Sequence, residues 1–406
     1  MYKDYFTLSK DKDTHFFDLQ SSKLKAGLYK SSAEFGDLKH KVYVIDPFDG
    51  KRPLLLNYEF IVEEKALDIG FYHTLIMDSN VVSGLHEYLA YRRGQIRLNE
   101  SMVDALESFL EHLCVTNIDY SSIFYLAENY YKEGKGAVLE HSSLRISSIL
   151  QLFSINPEIF VNDKEIVIDQ ERKDYYFDLH NGGSFDQCGR NIAKWFVESH
   201  EPSMYDTWSN LTYACLLKMV LIKFKYKKEV DRKNEEMYQF MVTDIGAVLS
   251  WENALALSYF SGFVDKFIGV DKKTPLERAK YNLKRTSWDV LLLKMPYFLL
   301  NVNHLPEVTL GYVATSEKKL YEFGRNISLS LQMCRVGDSV PKPVVSFDLG
   351  EHAEKLGDVK ARELGLSSLE IALDRLVGAS EKAISPVDLK YLVRDLEHQL
   401  SFLCRS

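Results

Sequence analysis

Four acidic side chains in this sequence sit where apolar neighbours make a charge costly, and together they suggest metal chemistry. Asp78 closes the apolar run Leu75-Ile76-Met77 and is followed by Ser79-Asn80. Glu317 follows a second apolar run, VTLGYVA at 308–314, within A-T-S-E-K-K-L. Asp289 lies in S-W-D-V-L-L-L, and Glu128 in I-F-Y-L-A-E-N-Y-Y. An acid in such surroundings needs a compensating cation, either a divalent metal or an Arg or Lys. Converging carboxylates suit hard cations such as Mg²⁺ or Mn²⁺. Ions held in this way generate hydroxide and neutralise charge developing on a phosphate, which is what phosphodiester hydrolysis requires. Asp78 and Asp289 are the leading ligand candidates, then Glu128, then Glu317. Asn80, Thr315 and Ser316 stand beside them and would orient ligands or water. Arg92 and Arg93, just beyond the Asp78 unit, are candidates for holding a substrate phosphate, with a plain surface loop as the equal alternative.

Each acid also has a plainer use. Asp78 is well placed to cap the helix that follows it. Glu128 has Lys132 four residues on, and Asp289 has Arg285 four residues back, both ordinary helical ion-pair spacings. Glu317 would suit the first turn of a helix, where the macrodipole favours an acid.

The elements that must position these groups are partly legible. Leu75–Met77 reads as a buried strand and Val81, Val82, Leu85, Tyr88 and Leu89 as the stripe of a helix after it. A carboxylate at the carboxyl end of a buried strand lies where open α/β sheets place their ligand crevice. Residues 42–45 read as a strand and 53–63 as a β-leaning run. Helices are predicted over 101–114, 120–131, 142–156, 186–200, 207–229, 237–269 and 276–295. The last is entered through a Thr274/Glu277 capping box and stopped by Pro296. Ile166–Ile168 and Tyr175–Phe177 read as a β-hairpin, 308–314 as a buried strand with a helix from Lys318, and 326–347 as strand or mixed structure. Beyond 351 the chain reads as helical, with Leu364, Leu366, Leu369, Ile371, Leu373 and Leu376 on one stripe.

Hydrophobic residues make up 46% of the 406-residue chain, enough for a large core of two or three units. A net charge of −8 argues against non-specific coating of nucleic acid, while leaving room for a local basic groove. Five scattered cysteines without a C-x-x-C pair indicate a reduced, cytoplasmic protein without a cysteine zinc site. The polar amino terminus lacks a signal-peptide pattern, and no apolar run reaches the roughly 20 residues of a membrane span. The Lys-rich segment 218–233 is interrupted by Glu229 and Asp231 and reads as a solvated helix end. No Walker-type or G-x-S-x-G motif occurs.

The order L-I-M-D-S-N, helix acid Glu128, second-half acid Asp289 and strand-end Glu317 with Leu320 after it resembles the PIN-like nuclease superfamily. That family opens on hydrophobic-Asp-Ser/Thr-Asn and closes on a strand ending in Thr-x-Asp. Two features depart from it: Glu317 replaces the usual Asp, and the span from Glu128 to Asp289 exceeds that of a minimal domain. The resemblance implies a three-layer α/β core with a central, mostly parallel sheet, enlarged by helical insertions and a helical carboxyl-terminal region. Its parts would be an amino-terminal β-rich extension (1–71), a first half-core (72–156), an inserted hairpin and helices (157–235), a second half-core (236–330) and the helical region (331–406). It implies an Mg²⁺- or Mn²⁺-dependent endoribonuclease, with RNA more expected than DNA as partner. By analogy of size it implies an effector of a bacterial toxin or phage-defence system. The carboxyl-terminal helices would serve a protein partner, and self-association is compatible with the pattern. The competing expectation is a catalytically inactive α/β binding or assembly subunit.

Overall fold

The computed structural model describes residues 2–20, 22, 33–65, 68–116, 118–226, 229–337, 341–347 and 384–404. Its strands, in chain order, are Thr14–Asp18 (β1), Ala33–Gly36 (β2), Lys41–Ile45 (β3), Leu54–Leu56 (β4), Gly70–Met77 (β5), Asp119–Ser121 (β6), Glu307–Thr315 (β7), Ile327–Arg335 (β8) and Lys342–Phe347 (β9). They form a five-stranded sheet, β2-β3-β7-β5-β6, and a four-stranded sheet, β4-β1-β8-β9. The rest of the described chain is mainly helical, so the fold is mixed α/β.

The five-stranded sheet is not mostly parallel, contrary to expectation. β5 pairs in parallel with β6 and β7, whereas β3 runs antiparallel to β7 and β2 antiparallel to β3. The reason lies in the connections. Long helical crossovers separate β5, β6 and β7, and parallel neighbours need such crossovers. β2 and β3 are joined by four residues, a connection that permits only an antiparallel pair. That hairpin comes from the amino-terminal stretch and adds to the free side of β7. The four-stranded sheet also joins distant parts of the chain, with β1 seated between β4 and β8 in antiparallel register.

The expected 166–177 hairpin is absent. Ile168 makes a single bridge to Ile155, and Asp169 caps a helix, Gln170–Leu179, by accepting the Arg172 N–H at 3.0 Å. Three consecutive aromatics carry no period-2 alternation, and the cap decides the local structure. The continuous helix expected over 237–269 is also broken, into Val230–Phe240, a π-helical turn Met241–Ile245, Ser250–Phe260 and Asp265–Ile268. Gly246, at φ +73°, takes the left-handed position after the π-turn and ends it. The Thr274/Glu277 capping box does not form: the helix begins at Leu276 with Pro275 in the cap position, and the Thr274 hydroxyl accepts the Asp271 N–H at 3.0 Å instead. The leucine stripe 364–376 lies outside the described residues. At the carboxyl end, Pro386–Leu403 is a helix capped by Ser385.

Two pieces of this architecture place the acids. β5 and β7 pair over eight residues, from Gly70↔Glu307 to Met77↔Ala314, so both end at one level. The helix Leu276–Leu299 lies on β7 and continues through Pro296, where a stop was expected. The Pro296 carbonyl still accepts the Leu300 N–H at 3.1 Å. Gly311 allows this close packing, since a Cβ there would stand 3.0 Å from Pro296 Cα and 3.2 Å from Ile76 Cδ1. Gly311→Val is therefore expected to destabilise the protein by about 1–3 kcal/mol through overpacking, measured by denaturant unfolding. A variant as stable as wild type would show that this helix–sheet contact yields at little cost.

Candidate metal centre

Asp78 follows the last residue of β5, and its backbone N–H still donates to Ala314 O at 2.9 Å. Its carboxylate does two jobs at once. Oδ1 accepts the Val81 N–H at 2.8 Å and caps the helix Ser79–Arg92, and Oδ2 accepts the Thr315 hydroxyl. Thr315 is fully buried at the end of β7, and its hydroxyl also accepts the Glu317 N–H at 3.0 Å. The parallel register thus delivers Asp78 and Glu317 to the same sheet edge. Asn80, in the first turn of the Asp78 helix, donates its amide to Glu317 Oε1 at 3.3 Å. Ser316 is exposed.

Glu128 comes from the helix Ile123–Ala137 and is 7% exposed. The Ser79 hydroxyl donates to its Oε2, and the Asn129 amide donates to Ser79 at 3.3 Å. Phe124 and Tyr131 lie on the same face of that helix. Their rings meet Trp288 at 6.0 and 5.6 Å, and this clasp sets Glu128 near Trp288's neighbour Asp289. Asp289 is half-buried while Trp288, Val290 and Leu291 are buried.

The four carboxylates act on one another electrostatically. Burial raises Asp78 from its ordinary 3.8 to about 6, with repulsion from Glu128 and Glu317 adding to it. The Thr315 and Val81 hydrogen bonds pull the other way. Burial also lifts Asp289 well above the carboxylate range. Glu317 adds to that shift, Arg285 opposes it, and Glu128 and Asp78 contribute further repulsion.

The compensating cations are unevenly distributed. Lys132 pairs with Glu128 at 2.5 Å, and Arg285 with Glu317 at 3.7 Å. Asp78 has no ion pair, and Asp289 has neither an ion pair nor a hydrogen bond among the described residues. With all four acids ionised, the two bases leave a formal charge of −2. That deficit and the all-oxygen donor set fit a hard divalent cation. As placed, no group of three or more His, Cys, Asp or Glu among the described residues is arranged to hold a metal ion. The carboxylates are neighbours that would have to turn inward to share one.

Arg92 and Arg93 are not brought to this cluster. Arg92 lies in the last turn of the Asp78 helix, some 20 Å along its axis from the start. Its guanidinium donates to Glu107 at 3.0 Å and to Tyr88 at 3.1 Å, while Arg93 reaches Gln151. Ser79 and Asn129 enter the site without having been singled out in the sequence. Ser79 reads there as a helix starter, and only the packing of two helices reveals its bond to Glu128.

Comparison with known proteins finds no matching family model, no matching curated protein and no matching solved structure. No helix among the described residues is long and apolar enough to cross a membrane.

The raised carboxyls give a stability prediction. Asp78 holds its proton more tightly folded than unfolded, so stability falls as pH rises from about 4 to about 6. Its shift is worth at most about 3 kcal/mol at neutral pH. In the presence of EDTA at pH 7, Asp78→Asn, which keeps the cap, is expected to gain about 1–3 kcal/mol over wild type in urea unfolding. Asp289→Asn is expected to move in the same direction, and both gains vanish near pH 4. Variants less stable than wild type at pH 7 would contradict the repulsion.

Proposed function

We propose that this protein is a metal-dependent phosphodiesterase acting on nucleic acid, with RNA the first substrate to test. The observation that carries the proposal is Asp289, a half-buried carboxylate with no hydrogen bond or ion pair among the described residues, repelled by Glu317, Glu128 and Asp78 and only partly offset by Arg285. A bound Mg²⁺ or Mn²⁺ would supply an activated water and stabilise charge on the phosphate. Asp78 and Asp289 would hold it, with Glu128 and Glu317 closing the set. Thr315 and the Val81 N–H fix the orientation of the Asp78 carboxylate, and Ser79 and Asn129 fix Glu128. Asn80 restrains Glu317. Lys132 and Arg285, each about half exposed, keep the cluster from carrying its full negative charge. The PIN-like resemblance supports this reading through L-I-M-D-S-N and the order of the acids. It also supports the further suggestion of a toxin or phage-defence effector.

A second reading, a non-catalytic binding or assembly subunit, is favoured by the Lys132–Glu128 and Arg285–Glu317 pairs, which already neutralise half of the cluster. The two are separated by incubating the protein with labelled single-stranded RNA and Mn²⁺ or Mg²⁺. Cleavage is expected, abolished by EDTA and reduced at least 100-fold in Asp78→Asn and Asp289→Asn. Absence of cleavage with either ion, or full activity in both variants, would favour the second reading.

A further inference from the structure

A groove of about 980 Å³ opens beside the carboxylates at the same edge of the five-stranded sheet. Lys318 and Lys319, which follow Glu317 directly, form one wall. Lys41 joins them from β3, where the neighbouring Tyr43 is in register with Thr315, and Lys266 and Arg325 line the remaining sides. Three acids also border the groove, but each has its own lysine. Glu34 pairs with Lys41 at 2.5 Å and Glu322 with Lys318 at 3.6 Å, while Asp265 pairs with Lys223 from outside the groove. Lys266 and Lys319 are exposed and have no carboxylate partner among the described residues; Lys319 donates only to the Lys266 carbonyl, at 3.0 Å. The groove is therefore locally cationic on a chain whose net charge is −8. Its floor is aromatic, with Tyr43 stacked on Tyr321 at 4.4 Å and Phe267 on Phe323 at 5.0 Å.

We infer that this groove takes a single-stranded nucleic acid and leads its backbone into the carboxylate cluster, with Lys266 and Lys319 as the phosphate contacts. The inference rests on the function proposed above and names its substrate channel. Lysines without a carboxylate partner among the described residues supply the backbone attraction, and the partly exposed Phe263 and Phe267 rings of the lining offer stacking surface to bases free of a duplex. Continuity is set by sequence, because Glu317 belongs to the cluster and Lys318 to the groove.

The test measures binding of a fluorescein-labelled 12-nucleotide single-stranded RNA, and the DNA of the same sequence, by anisotropy in EDTA. Lys266→Glu with Lys319→Glu is expected to weaken binding at least tenfold and to lower the salt slope by about 2. Lys266→Ala with Lys319→Ala should lose less. A charge-matched control, Lys390→Glu with Arg394→Glu on the carboxyl-terminal helix, should bind within twofold of wild type. Binding by the groove variant equal to wild type, or an equal loss in the control, overturns the inference. Preference between the two oligonucleotides identifies the sugar. Hydrolysis of bis(p-nitrophenyl) phosphate with Mn²⁺, a diester too small to fill the groove, separates the two claims. If wild type fails to hydrolyse it while the groove variant loses oligonucleotide binding, the metal-centre reading falls and the groove stands. If it is hydrolysed while groove variants bind normally, the groove falls and the centre stands.

Discussion

Asp78 and Asp289 feel each other's charge in a buried part of the molecule, and the elements that carry them are firmly held. Asp78 is pinned through both oxygens, one to the Val81 N–H and one to the Thr315 hydroxyl. Asp289 is carried on a helix that Gly311 lets down onto β7 and that Trp288 clasps to the Glu128 helix. Holding like charges in a half-buried site costs folding free energy, and neither aspartate has an ion pair among the described residues, although Arg285 offsets part of the cost at Asp289. Strain of this kind is retained where function requires it or where another charge completes the site.

The same edge of the sheet carries two opposite fields. Asp78 and Glu317 sit just past the ends of β5 and β7, and the lysines of the groove begin at the next residue, Lys318, with Lys319 lacking a carboxylate partner among the described residues. An anionic polymer would be drawn by the lysines and repelled by the bare carboxylates. A divalent cation would remove that conflict by binding the carboxylates and attracting the phosphate. Metal and substrate would then depend on each other at this edge.

Much of the site was legible in the sequence, because local rules govern it. The strand ending at Asp78, its helix, and the strand before Glu317 follow from apolar runs bounded by capping residues. The isolated acids in apolar helices were conspicuous for the same reason. The topology was not legible. Nothing local to Ala33–Ile45 says that this hairpin will add antiparallel to β7, and this makes the sheet mixed. The Gln170–Leu179 helix was hidden by three aromatics in a row, which look β-like although Asp169 caps a helix. Ser79 and Asn129 were invisible as site residues because their contact with Glu128 spans two helices. Lys266 and Lys319 lie 53 positions apart and become neighbours only through the fold.

The central claim is that the charge deficit at Asp78 and Asp289 is completed by a divalent cation. Calorimetric titration of Mn²⁺ at pH 6, in two buffers differing in ionisation enthalpy, tests it most directly. Asp78 is half-protonated near that pH, so ion binding must expel a proton. The expected result is saturable binding with net proton release that is lost in Asp289→Asn. No binding heat at millimolar Mn²⁺, or binding with the same proton release in Asp289→Asn, would contradict it.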